Sequence, residues 1–160
     1  MKLAVAVATL ATIVAIPAPG QEVLAVAHVV ITGGPKPGTY DLSVAKGGCS
    51  AGATGAGSFG TQVSDSKVGP EALGSVQLIV PAPSAAGSPQ MQLIVRIGSI
   101  MKKTAEFNIN TLPATPKPIG KGIVKVAGVT GNTPVASFDV TTADNVHIVG
   151  TVSCKSMVRM

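Results

Sequence analysis

Apolar residues recur at every second position through much of this chain. Leu73–Val80 (LGSVQLIV) sets Val76, Leu78 and Val80 on one face. Gln90–Ile97 does the same with Met91, Leu93, Val95 and Ile97. Thr39–Lys46 groups Tyr40, Leu42 and Val44, and Ala105–Ile109 sets Ala105, Phe107 and Ile109 against Glu106 and Asn108. A period of two in β-branched runs marks a half-buried strand. Further runs of the same kind occupy Ala27–Thr32 (extendable back to Val23), Ser58–Ser64, Ile123–Val126, Val135–Val140 and Val146–Cys154. GGPKPG, PAPSAAGSP and LPATPKPIGKG punctuate them as turns and loops. The closest approach to a helix, SKVGPEALG, is broken by Gly69 and Pro70. Eight to nine short strands with no helix between them predict an all-β chain. The expected architecture is an antiparallel β-sandwich of Ig-like or Greek-key type. In the last strand Val146, Ile148, Val152 and Cys154 share the core face, and His147 faces outward with Val149, Thr151 and Ser153.

The start of the chain breaks the alternation. Lys2 precedes an apolar run, Leu3–Ile16, which Pro17, Pro19 and Gly20 end. The run is short of the ~20 residues a membrane-spanning helix needs, and its layout is that of a secretory signal peptide. Ala25-Val26-Ala27 is one cleavage site, giving a signal peptide of residues 1–27 and a single domain of residues 28–160. Ala18-Pro19-Gly20 is the other and leaves Gln21 first. Both predict an exported protein, secreted or periplasmic, associated with the bacterial envelope and without a transmembrane span in its mature form. In such a compartment Cys49 and Cys154, the only two cysteines, are expected to pair as a disulfide.

Composition narrows the chemistry. There is no Trp, and Tyr40, Phe59, Phe107 and Phe138 are the only aromatics, too few for the ring platforms that bind sugars or single-stranded nucleic acid. The net charge of +5 is spread along the chain, with Lys102-Lys103 the one adjacent basic pair, so no nucleic-acid partner is expected. The stretch GGCSAGATGAGSFG holds two motif fragments. GAGSFG has the spacing of a dinucleotide loop, but strand and turn residues follow it where that loop needs a helix. AGSFG is similar to a nucleophile elbow, and Ser58, Asp139 or Asp144, and His147 stand in the Ser, acid, His order. An elbow needs a strand-to-helix turn, which the pattern does not supply. The stretch is therefore expected to be a glycine-rich surface loop beside Cys49, with no catalytic residue. The expected function is an exported non-catalytic β-sandwich, a binding or envelope-associated structural module with no cofactor.

The alternative is copper. Cleavage after Ala27 would make His28 the first residue, with its amine and ring forming a chelate. HVVITGGPKPG and ADNVHIVGTVSC carry a resemblance to the periplasmic copper-carrier β-sandwich family. It covers these two short segments alone. The resemblance implies a copper site built from His28, His147 and Asp144. Two residues stand between Asp144 and His147, where that family has one.

Overall fold

The computed structural model describes residues 22–45, 47–52, 54–99 and 101–160. The apolar run Leu3–Ile16 and the site Ala18–Gly20 lie outside them. The described chain is all-β. Its eleven strands in chain order are β1 Ala25–Thr32, β2 Gly38–Val44, β3 Gly47–Ala51, β4 Phe59–Ser64, β5 Leu73–Val80 and β6 Gln92–Ser99, then β7 Lys102–Asn110, β8 Lys121–Ala127, β9 Val135–Thr141, β10 His147–Cys154 and β11 Met157–Arg159.

They form two sheets, one of five strands ordered β2-β1-β10-β9-β8 and one of six ordered β11-β3-β4-β5-β6-β7. Every pairing is antiparallel except the short one between β11 and β3. The layers meet in a sandwich-like arrangement, with β1 against β3 and β4 and β2 against β4 and β5. The alternation read from the sequence builds the core between them. Val29, Ile31, Leu42, Phe138, Ile148 and Val152 come from one sheet, and Phe59, Leu78, Leu93, Val95 and Ile109 from the other. Among the described residues, no helix is long and apolar enough to cross a membrane.

Cys49 on β3 and Cys154 on β10 are joined across the two sheets, with a Cα–Cα distance of 6.0 Å. The bond is buried in the core, and the Thr61 hydroxyl lies 3.8 Å from the sulfur of Cys154.

Two strands are absent from the sequence expectation. The glycine-rich stretch begins with strand β3 and becomes a loop only after Ala51. Its alternation is carried by small residues, with Cys49 and Ala51 inward, so it has no hydrophobic signature. Gly47 opens this strand at φ 108°, and a Cβ there would lie 2.5 Å from the Gln62 carbonyl oxygen. β11 is only three residues long, below what periodicity can register. Residue 27, one of the two cleavage positions, lies within β1. Ala25 and Ala27 are buried, and Ala25 pairs with both Val44 and Cys154. One residue earlier, the Leu24 N–H donates to the Val44 carbonyl at 2.8 Å, and the Leu24 carbonyl accepts from the Lys155 N–H at 2.9 Å.

The sheet edges are treated unequally. Ser84–Ser88 lies along the outer side of β8: the Ser88 and Val124 backbones exchange two hydrogen bonds, and the Val126 N–H donates to the Ser84 carbonyl. β7 carries Lys102 and Lys103 and a register irregularity opposite Ile97 and Gly98, both of which discourage pairing with another chain.

Candidate functional site

The outward positions of the five-stranded sheet gather most of the chain's candidate chemistry. The strand register lays them out in rows across β2, β1, β10, β9 and β8. One row reads Asp41, His28, Thr151, Ser137, Lys125. The next reads Thr39, Val30, Val149, Asp139, Ile123. Both histidines lie on this face because each occupies the exposed phase of a strand whose other phase is core.

Each histidine is held by a carboxylate on the neighbouring strand. Nδ1 of His28 lies 2.7 Å from Oδ1 of Asp41, and Nε2 of His147 lies 2.8 Å from Oδ1 of Asp139. The rings themselves are apart. His28 sits opposite Thr151 and His147 opposite Thr32, which is four residues along the sheet. At the rise of a strand this separates them by about 13 Å, too far for two imidazoles of one chain to reach one ion.

Asp144 does not join His147. Its Oδ1 accepts a hydrogen bond from the Thr142 hydroxyl at 2.6 Å, within the turn between β9 and β10. That turn is closed by Val146 N–H to Thr142 Oγ1 and by Asn145, which takes φ 64°. Among the described residues no three His, Cys, Asp or Glu side chains come together as a metal-binding group. Sequence reasoning chose Asp144 by its nearness in the chain. The partners that the fold supplies, Asp41 and Asp139, stand at outward positions of strands that the alternation had already marked.

Ser58 is in a different part of the molecule, just before β4 in the six-stranded sheet. It is buried, and its hydroxyl accepts the Thr54 N–H at 3.1 Å. Its backbone closes the same loop, with the carbonyl accepting from Gly52 and the N–H donating to Gly55. Ser58 therefore folds the loop onto itself. Neither Asp139 nor His147 approaches it, since both project from the outer face of the opposite sheet.

Beside the histidines the same face carries an open groove of about 680 Å³. Ser137, Asp139, Val149 and Thr151 form its floor, and Ile123, Lys125 and the strap at Ala86-Gly87 form one wall. It offers both charge signs, two hydroxyls and exposed apolar side chains, which suits recognition of a polar and apolar surface together. The outer face of the six-stranded sheet has a shallower hollow of about 310 Å³, lined by Ser50, Gln62 and Gln77 above Gly48 and Gly60.

Two ionisable groups elsewhere are shifted. The Arg96 guanidinium hydrogen-bonds Glu106, and with help from Lys103 holds its carboxyl below the usual carboxylate range. Burial raises the Tyr40 phenol, whose hydroxyl donates to the Lys36 carbonyl. Both support local structure.

No protein-family model, curated protein or solved structure matches this chain.

Proposed function

We propose that this chain is an exported, non-catalytic β-sandwich that acts through its surface, as a binding or envelope-associated structural module. The observation that carries this reading is the division of labour between the two sides of the five-stranded sheet. Its inner side is wholly apolar and is tied to the other sheet by the Cys49–Cys154 bond. Its outer side presents an open groove and two separate His–Asp pairs. A bond buried between sheets fits an oxidising compartment.

Within this reading the signal peptide ends at Gly20 and the mature chain starts at Gln21. Cleavage after Ala27 would discard three residues of β1 and both backbone hydrogen bonds of Leu24. A copper carrier based on a terminal His28 depends on that cleavage, so the same observation weighs against it. The test is a titration of the exported protein with Cu(II) by calorimetry, beside an ester-substrate panel run on the wild type and Ser58→Ala. The expected result is no saturable copper binding at His28 and no turnover that the substitution removes. Stoichiometric binding lost in His28→Ala, or hydrolysis lost in Ser58→Ala, overturns the proposal.

A further inference from the structure

We propose that the outer face of the five-stranded sheet is where two copies of this chain join, related by a twofold axis parallel to the strands. The proposal stands on the distribution of apolar and charged side chains and does not depend on export.

Four large hydrophobic side chains are exposed on this one face: Val26, Ile123, Val135 and Val149, each between 37% and 42% accessible. Half-buried Val30 lies among them. The outer face of the six-stranded sheet is more polar, presenting Ser50, Gln62, Gln77, Arg96, Glu106 and Asn108 around half-buried Ile79 and Ile94, with exposed Val158 at its edge. These apolar side chains stand in two rows on either side of the polar row that runs from Asp41 to Lys125, a mixed face of the kind that protein interfaces use.

The arrangement of charges says what that surface fits. Asp41 is at one edge of the sheet, on β2, and Lys125 at the other, on β8, and both belong to the same row. A twofold axis parallel to the strands, passing over β10, lays β2 of one copy over β8 of its partner and keeps each row against itself. Asp41 then faces Lys125 of the partner subunit, and by symmetry the contact occurs twice. In the same superposition Val26 comes over Val135 of the partner subunit and Val149 meets its own counterpart on the axis, while Val30 comes over Asp139 of the partner subunit and Ile123 over Thr39 of the partner subunit. The groove beside Lys125 receives the partner's edge strand. Lys125 has no ion-pair partner among the described residues within its own chain.

The size is adequate for a modest complex. Five strands at ~4.8 Å spacing and about seven residues at ~3.4 Å give a face about 24 Å on each side, or roughly 570 Å² before side-chain relief. That is below the roughly 800 Å² per partner of a standard interface and fits a weak, reversible contact.

Sedimentation velocity of the purified protein, from about 1 to 200 µM, tests this. The expected result is a reversible monomer–dimer equilibrium within that range. Val149→Lys should leave only monomer. Asp41→Lys and Lys125→Asp should each weaken dimerisation at least about tenfold, and combining them should restore it to within a few-fold of the wild type. Thermal melts confirm that each variant is folded. Should Asp41→Lys disturb its own strand by releasing His28, Lys125→Asp and Val149→Lys still decide the matter. A protein that stays monomeric throughout overturns the proposal and leaves the face to a different partner. A dimer indifferent to Val149→Lys, or two folded charge reversals that fail to rescue each other, overturns it equally.

Discussion

Gly150 shows how tightly single positions are fixed. It lies on the core side of β10, and a Cβ built there would be 2.5 Å from the Phe138 ring and 2.6 Å from the His28 carbonyl oxygen. Neither neighbour can yield, one being a buried ring and the other backbone. Gly150→Ala should therefore destabilise the fold by about 1–3 kcal/mol, the usual cost of overpacking, read from the denaturant midpoint. Glu106 makes a smaller and pH-dependent contribution. Its carboxyl is held low by Arg96, so its folded pKa lies below its unfolded value of 4.5. The contribution is present above that value and is lost as the pH falls through the folded pKa. The pair is partly exposed, so solvent screening keeps the effect under about 1 kcal/mol. Glu106→Gln should be less stable than wild type by that margin at pH 7, and the two should converge as acid protonates Glu106. A difference that persisted unchanged at pH 2 would show the ion pair to be irrelevant.

At the scale of elements, strands with large apolar residues were legible and strands of small ones were not. Leu73–Val80 matches β5 at both ends, because Val76, Leu78 and Val80 alternate without interruption. β3 was hidden, since its inward residues are Cys49 and Ala51 and its flanks are glycines that also suit a loop. β7 was read short, because Lys102 and Lys103 lie in the strand without a buried partner phase. The histidines' outward phase was legible for the same reason as the core. Their carboxylate partners were missed because cross-strand register is a tertiary fact, absent from the spacing along the chain. β1 also carries a prediction. A chain beginning at His28 loses both Leu24 hydrogen bonds and the burial of Ala25 and Ala27. At about 1 kcal/mol per hydrogen bond it should be less stable than a chain beginning at Gln21 by at least about 2 kcal/mol. Equal urea midpoints for the two would remove the structural argument for upstream cleavage.

At the scale of the molecule, the disulfide ties the two layers together through residues far apart in the chain. The two cysteines are 105 residues apart, and closing a loop of that length restricts the unfolded chain by about 4–5 kcal/mol in the chain-entropy estimate. Cys49→Ala with Cys154→Ala should lower stability by up to that amount while the all-β far-ultraviolet spectrum persists. The pairing was legible from cysteine count and expected compartment, and its position between the sheets was legible from the core phase of Cys154. The partner sheet was not, because β3 had no recognisable pattern.

We propose an exported sandwich whose ordered fold begins upstream of His28 and is closed by one buried bond. Intact-mass analysis of the protein recovered after export, alkylated without reduction, tests it most directly. The expected mass is that of a chain running from Gln21 to Met160, with or without loss of ammonia from Gln21, carrying no alkyl group until it is reduced. A chain beginning at His28, or one that takes two alkyl groups while unreduced, would contradict it.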